Sequence, residues 1–77
     1  MINVEFYAVL KDFFGEKRTL GSCDSIDRLI ELLEFEKPAS KNILNNVRVA
    51  VNDKFVPLTT SLSDGDLISL LPPSSGG

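Results

Sequence analysis

Histidine is absent from the chain and cysteine occurs once, at Cys23. Without histidine there is no His-based triad or dyad and no Cys/His zinc site, and one cysteine cannot close an internal disulfide. No metal site is therefore expected. A lone thiol suits a reducing compartment. Long apolar runs are missing too, and nothing approaches the roughly 20 residues that span a bilayer. The opening Met1-Ile2-Asn3-Val4-Glu5 meets an acidic residue too early for a secretory signal. The expectation is a soluble, cytoplasmic protein with no membrane segment. Basic charge is sparse and dispersed. Lys11, Lys17, Arg18, Arg28, Lys37, Lys41, Arg48 and Lys54 stand against 11 acidic residues, for a net charge of −3. A nucleic-acid binder presents a basic stripe with interleaved aromatics, so no nucleic-acid partner is expected. A mildly acidic surface steers instead towards basic partners.

At 77 residues the chain makes one domain, burying only about 60–65% of its unfolded surface. That leaves little room for an interior active-site cavity. Chemistry belongs at an end, on the surface, or in a site shared with another protein.

Residues 2–9 alternate, with Ile2, Val4, Phe6 and Ala8 on one side and Asn3, Glu5, Tyr7 and Val9 on the other, which predicts a strand. Leu10–Phe14 before Gly15 reads as a helical turn closed by a glycine. Residues 16–22 read as a more polar strand. Asp24 or Ser25 can cap the next element. Ile26, Leu29, Ile30 and Leu33 then fall at i, i+3, i+4, i+7 on one helical face, with Leu32 and Phe35 widening the stripe. Pro38 ends this main helix near Glu36. Residues 38–46 read as polar loop apart from Ile43 and Leu44. Val47, Val49 and Val51 alternate, Asn52-Asp53 makes a turn before Phe55-Val56, and Pro57 confines the next segment to an edge or a non-strand. Ser63-Asp64-Gly65-Asp66 is a second turn, and Leu67–Leu71 a final strand with Ile68 and Leu70 on one side. One amphipathic helix covers only one face of such a sheet, so the class is α+β with a body over residues 1–71.

The last six residues, Pro72-Pro73-Ser74-Ser75-Gly76-Gly77, read as a tail. Two prolines favour an extended path and lack N–H donors, so sheet pairing stops there. Six extended residues reach at most about 20 Å. Glycines without Cβ can thread a narrow channel. A chain ends in Gly-Gly by chance about 0.5% of the time, so the pair alone is weak. After a double proline and an apolar strand it says more. The terminal carboxylate is a poor electrophile until activated. Adenylation with ATP, then displacement of AMP by a sulfur nucleophile, would leave a thiocarboxylate.

Several stretches together resemble the small subunit of molybdopterin synthase, the MoaD family, over essentially the whole chain. They are Ile2-Asn3-Val4-Glu5-Phe6-Tyr7-Ala8, the short helical segment closed by Gly15, Val47-Arg48-Val49-Ala50-Val51-Asn52, and Leu62-Ser63-Asp64-Gly65-Asp66. The run from Leu67 through Pro72-Pro73-Ser74-Ser75-Gly76-Gly77 completes the likeness. The resemblance implies a ubiquitin-like β-grasp fold, a mixed sheet of about four to five strands with one main helix across one face. It also implies a sulfur carrier whose terminal glycine is adenylated by a ubiquitin-activator-like enzyme that uses ATP, and is then thiocarboxylated. The tail would next enter the large synthase subunit and give sulfur to cyclic pyranopterin monophosphate. By position, Gly77 would bear the sulfur, Gly76 would fit the channel, and Pro72, Pro73, Ser74 and Ser75 would form the inserted stem. No cofactor would be bound by this chain, and the catalytic residues would lie on the large subunit. Leu71 stands where members often carry an aromatic residue.

Leu67, Leu71, Tyr7 and Val9 fall on the sheet face opposite the helix, and an uncovered apolar face marks a partner surface. Cys23 has no base or metal partner in sequence, and Asp64 and Asp66 around Gly65 read as turn residues rather than paired catalytic carboxylates. Glu31, Glu34 and Glu36 read as the solvated side of the helix. Three rival readings stay open: a carrier for another pathway such as thiamine thiazole synthesis, a ubiquitin-like modifier joined to lysines, and an interaction module with an incidental tail.

Overall fold

A computed structural model describes residues 1–73. Its elements run β1 (Ile2–Phe6), α1 (Leu10–Phe14), β2 (Lys17–Leu20), α2 (Ile26–Glu36), a 3₁₀ turn (Pro38–Ser40), α3 (Lys41–Leu44), β3 (Arg48–Val51), β4 (Lys54–Phe55) and β5 (Leu67–Leu71). They form one five-stranded mixed sheet in the order β2-β1-β5-β3-β4. β1 and β5 pair in parallel, with Val4 opposite Ile68 and Phe6 opposite Leu70, and every other pairing is antiparallel. The first and last strands thus meet in the sheet's interior, a contact that local patterning cannot supply.

α2 forms where the apolar spacing places it. Ser25 caps it through a long hydrogen bond, its Oγ accepting from the Arg28 N–H at 3.5 Å. Its buried residues Ile26, Leu29, Ile30 and Leu33 pack with Ile2, Val4, Phe6, Val49, Ile68 and Leu70 into one core. Each such side chain contributes about 1.5–3 kcal/mol through removal from water. Gly15, at φ 84°, ends α1 as expected and donates its N–H to the Lys11 carbonyl at 2.8 Å. Phe14 stacks on Phe6 with ring centroids 5.0 Å apart.

Four expectations are corrected. The strand predicted over residues 2–9 stops at Phe6, because Ala8 turns to φ 53° and the Leu10 N–H bonds to the Tyr7 carbonyl, starting α1. Tyr7 and Val9 therefore leave the strand's alternation, and Ala8 is exposed rather than inward. Leu32 and Phe35 do not widen the buried stripe; both point to solvent. Residues 38–46 are not plain loop, since they hold the 3₁₀ turn and α3. There Ser40 is buried with its hydroxyl donating to the Lys37 carbonyl at 2.7 Å, and Leu44 reaches the core. Finally, the strand expected at Phe55-Val56 is Lys54–Phe55. Among the described residues no helix is long and apolar enough to cross a membrane.

Candidate functional site

β5 is the last element before Pro72 and Pro73, and it is hydrogen-bonded on both sides, to β1 and to β3. Its alternation sends Ile68 and Leu70 into the core, while Leu67, Ser69 and Leu71 face the side of the sheet that α2 does not cover. Register extends that bare face. Asn3 lies opposite Leu67, Glu5 opposite Ser69, Ala50 opposite Ser69, Arg48 opposite Leu71, and Phe55 opposite Ala50. One half, on β1 and β2, is polar with Asn3, Glu5, Lys17 and Thr19. The other half, on β5, β3 and β4, is largely apolar. Ser69 and Ala50 are buried despite the absent helix, as small side chains set low between larger neighbours.

Arg48 lies over the Phe55 ring at 4.6 Å from its centroid, a cation–π contact that contributes about 0.5–1 kcal/mol when exposed. Phe55 is 60% exposed. Sequence reasoning missed both residues as part of this face. Phe55 sits in a strand of two residues after a turn, where alternation has no length over which to declare itself. The alternation of Val47, Val49 and Val51 turns Arg48 outward, but only the Arg48–Leu71 register, a non-local fact, sets it beside the end of β5.

Of the residues expected in the site, Leu67 and Leu71 are half-buried on the bare face, at opposite ends of β5. Tyr7 is exposed just beyond β1; its N–H donates to the Leu70 carbonyl at 3.2 Å, which seats it beside the tail's root, and its hydroxyl donates to Glu5 at 3.2 Å. Val9 is exposed in the turn leading into α1. Pro72 is half-buried and Pro73 exposed, and the strand ends at Leu71 before them. Ser74, Ser75, Gly76 and Gly77 lie outside the described residues.

The opposite end of β5 is fixed by side chains. Asn52, at φ 51°, and Asp53, at φ 72°, form the tight hairpin turn between β3 and β4. The Asn52 amide donates to Asp66 Oδ1 at 3.1 Å, and its Oδ1 accepts the Leu67 N–H at 3.0 Å. Asp66 Oδ2 accepts the Ser63 N–H at 2.8 Å. Both Asp66 oxygens are thus engaged in holding the turn, in which Gly65 takes φ 90°. Cys23 is half-buried against the core, and its thiol donates to the Ser25 carbonyl at 3.4 Å. A displaced acidity with a clear cause lies across the sheet. The Arg18 guanidinium, hydrogen-bonded to Glu36, holds that carboxyl below the usual glutamate range.

Comparison with known proteins matches this geometry to a family. The profile of the ThiS family matches residues 4–77. The molybdopterin synthase sulfur carrier subunit of Mycobacterium tuberculosis is 33% identical over 80 aligned positions, covering 99% of this chain and 96% of that protein. A chain of the complex of subunits 1 and 2 of molybdopterin-converting factor from Helicobacter pylori superposes with a TM-score of 0.70. It is 32% identical, covering 99% of this chain and 97% of that one. The small archaeal modifier protein 1 of Methanosarcina acetivorans superposes with a TM-score of 0.83 at 24% identity, covering 99% and 95%. That last likeness is one of fold, the ubiquitin-like β-grasp.

Proposed function

The chain belongs to the ThiS family, and we propose that it is the sulfur-carrying small subunit of a molybdopterin synthase, working from the carboxylate of Gly77. The observation that carries this reading is a family match running through the tail to residue 77, joined to a named sulfur-carrier relative at 33% identity. The fold supports it. A tail rooted in a strand paired on both sides is presented from a fixed point, beside an apolar face on which a partner can seat.

In this reading residues 1–71 are the body and residues 72–77 the working tail. The Gly77 carboxylate attacks the α-phosphorus of ATP on an adenylating enzyme, giving the acyl adenylate and pyrophosphate. A sulfur nucleophile at the sulfide level then attacks the acyl carbon, AMP leaves, and the thiocarboxylate remains. On the large subunit the thiocarboxylate sulfur attacks a carbon of cyclic pyranopterin monophosphate as a C–O bond at that carbon breaks. The oxygen leaves with the opened phosphate in one round and as water in the other. Water then cleaves the C–S bond to the acyl carbon and restores the carboxylate. Two such rounds deliver the two sulfurs of a dithiolene. Pro72–Ser75 serve as the stem, Gly76 passes the narrowest point, and Leu67, Leu71, Tyr7 and Val9 contact the large subunit. The chain supplies the reacting group and leaves acid–base work to its partners. With its single thiol it works in the cytoplasm, where ATP is at hand.

The test is intact mass of the protein purified with its native C-terminus from cells that hold its activating system, beside a variant lacking Gly77. A fraction heavier by one oxygen-to-sulfur exchange is expected, mapped by fragmentation to Gly77 and absent from the control. Mapping separates it from oxidation of Cys23 or Met1. An unchanged carboxylate, with activating enzyme, ATP and sulfide all supplied, overturns the carrier reading. A thiocarboxylate whose sulfur never reaches the pterin would assign the chain to another sulfur pathway, and lysine conjugates alone would make it a modifier.

A further inference from the structure

The outer side of α2 carries apolar surface that the core does not use. Phe35 is 88% exposed and Leu32 46% exposed. They stand one helical turn apart, so their side chains are neighbours. With Cys23 they line a shallow groove of about 580 Å³ between α2 and the segment that leads into it, rimmed by Asp24, Arg28 and Glu31. The groove has a fixed base, because Cys23 packs on the core and bonds to the Ser25 carbonyl. A phenylalanine held in water on a rigid helix forgoes the burial of some 150–250 Å² that makes aromatic residues the usual anchors of interfaces.

Charge identifies what fits there. α2 contains Asp27, Arg28, Glu31, Glu34 and Glu36. Glu36 is paired with Arg18 of β2 and Lys37 follows it, so Asp24, Asp27 and Glu34 are the acidic groups on this side that stand outside the ion pairs described. Arg28 is itself tied to Glu31 at 3.3 Å. A second copy of the chain would bring an equally acidic helix against the first, and like charges facing each other oppose that contact. The complementary occupant is a protein with an apolar pocket ringed by lysine and arginine.

The position of the groove sets when such a partner can bind. The other side of α2 is packed on the sheet, and Leu67 and Leu71 face away from it on the far side. A body seated on Phe35 therefore leaves the tail-side face free. We propose that Phe35 and Leu32 anchor a second docking site, for a basic protein partner that binds while the tail-side face is occupied by another protein. This stands apart from the sulfur-carrier reading, since it uses neither the tail nor its neighbours.

The test places a photo-crosslinking benzoyl-phenylalanine at position 35 of the full chain in its native cells and identifies the adduct by mass spectrometry. The captured protein is then purified and titrated calorimetrically against wild type, Phe35→Ser and Phe55→Ala. The expected result is at least a tenfold weaker Kd for Phe35→Ser, no change for Phe55→Ala, and an affinity that falls as salt rises. Phe35→Ser should keep the wild-type melting temperature, because the residue supports nothing in the core. Absence of any adduct, an adduct between two copies of the chain, or a partner indifferent to Phe35→Ser overturns the proposal. So does a partner indifferent to salt, or a Phe35→Ser variant with a lowered melting temperature.

Discussion

Glu36 occupies a position that electrostatics disfavours. A carboxylate in the last turn of α2 faces the negative end of the helix dipole. Arg18, reaching from β2, offsets this with two contacts, Nη1 to Oε1 at 2.9 Å and Nη2 to Oε2 at 2.7 Å. The pair is partly exposed, so it contributes about 0.5–1 kcal/mol rather than the larger value of a buried fork. Its pH dependence is set by the direction of the shift. The folded-state pKa of Glu36 is lowered, so the stabilisation is present above the unfolded glutamate pKa and is lost as pH falls through the folded one. Glu36→Gln should cost about 0.5–1 kcal/mol at neutral pH and progressively less as pH falls below the unfolded glutamate pKa, as read by urea unfolding across an acid pH series. A cost that stays constant through the acid series would mean that packing, not charge, holds Arg18.

Individual residues also mark where sequence reading succeeds and where it stops. Ile26, Leu29, Ile30 and Leu33 announce the buried face of α2 because their spacing is local and the helix repeats it. The same spacing cannot rank the edges of a stripe. Leu32 and Phe35 share the helix, yet the core closes without them, and only the packed sheet decides that. Ala8 gives no warning of a positive φ, since alanine rarely adopts one. Asn52-Asp53 and Gly65 are the reverse case, residue types chosen for left-handed backbone and found there.

Among the elements, the turn at residues 51–54 and the turn at residues 63–66 behave as one unit joined through Asn52. Its side chain holds Leu67 and Asp66 while its own backbone turns the hairpin, and its N–H donates to the Leu67 carbonyl at 2.8 Å. Asn52→Ala removes two side-chain hydrogen bonds and places alanine in a left-handed conformation, at a cost of about 1–3 kcal/mol. Asn52→Gly keeps the backbone freedom and loses only the hydrogen bonds, so it should fall between alanine and wild type in urea unfolding. Glycine no better than alanine would show that the φ value carries none of the cost. The β1–β5 pairing illustrates the matching limit on prediction. Both strands are visible in sequence, but the tie between the two ends of the chain is written in no local pattern, and the family resemblance anticipates it where periodicity cannot.

For the molecule as a whole, the sheet divides labour between its faces. One face is consumed by α2 to make a core, and the other keeps Leu71, Phe55 and the Arg48 guanidinium available near the C-terminal end of β5, with Leu67 at its far end. If the large subunit seats there, Phe55→Ala should weaken its binding by about tenfold, the scale of an aromatic anchor at an interface, while lowering the melting temperature by only a few degrees, the scale of the lost Arg48 contact. Surface plasmon resonance against the purified large subunit reads the first, and scanning calorimetry the second. Binding unaffected by Phe55→Ala would confine the interface to Tyr7, Val9 and β5 itself.

The place of β5 in the sheet also has a mechanical meaning. If the chain passes from one enzyme to another as the proposed function requires, every withdrawal of the residues after Leu71 pulls along the axis of β5. β5 is gripped on both flanks, in parallel by β1 and antiparallel by β3, so that pull loads its hydrogen bonds in shear and they must yield together. An edge strand under the same force can be peeled from its single neighbour one bond at a time. On the proposed function, a strand so placed resists repeated pulling from its C-terminal end without the sheet coming apart.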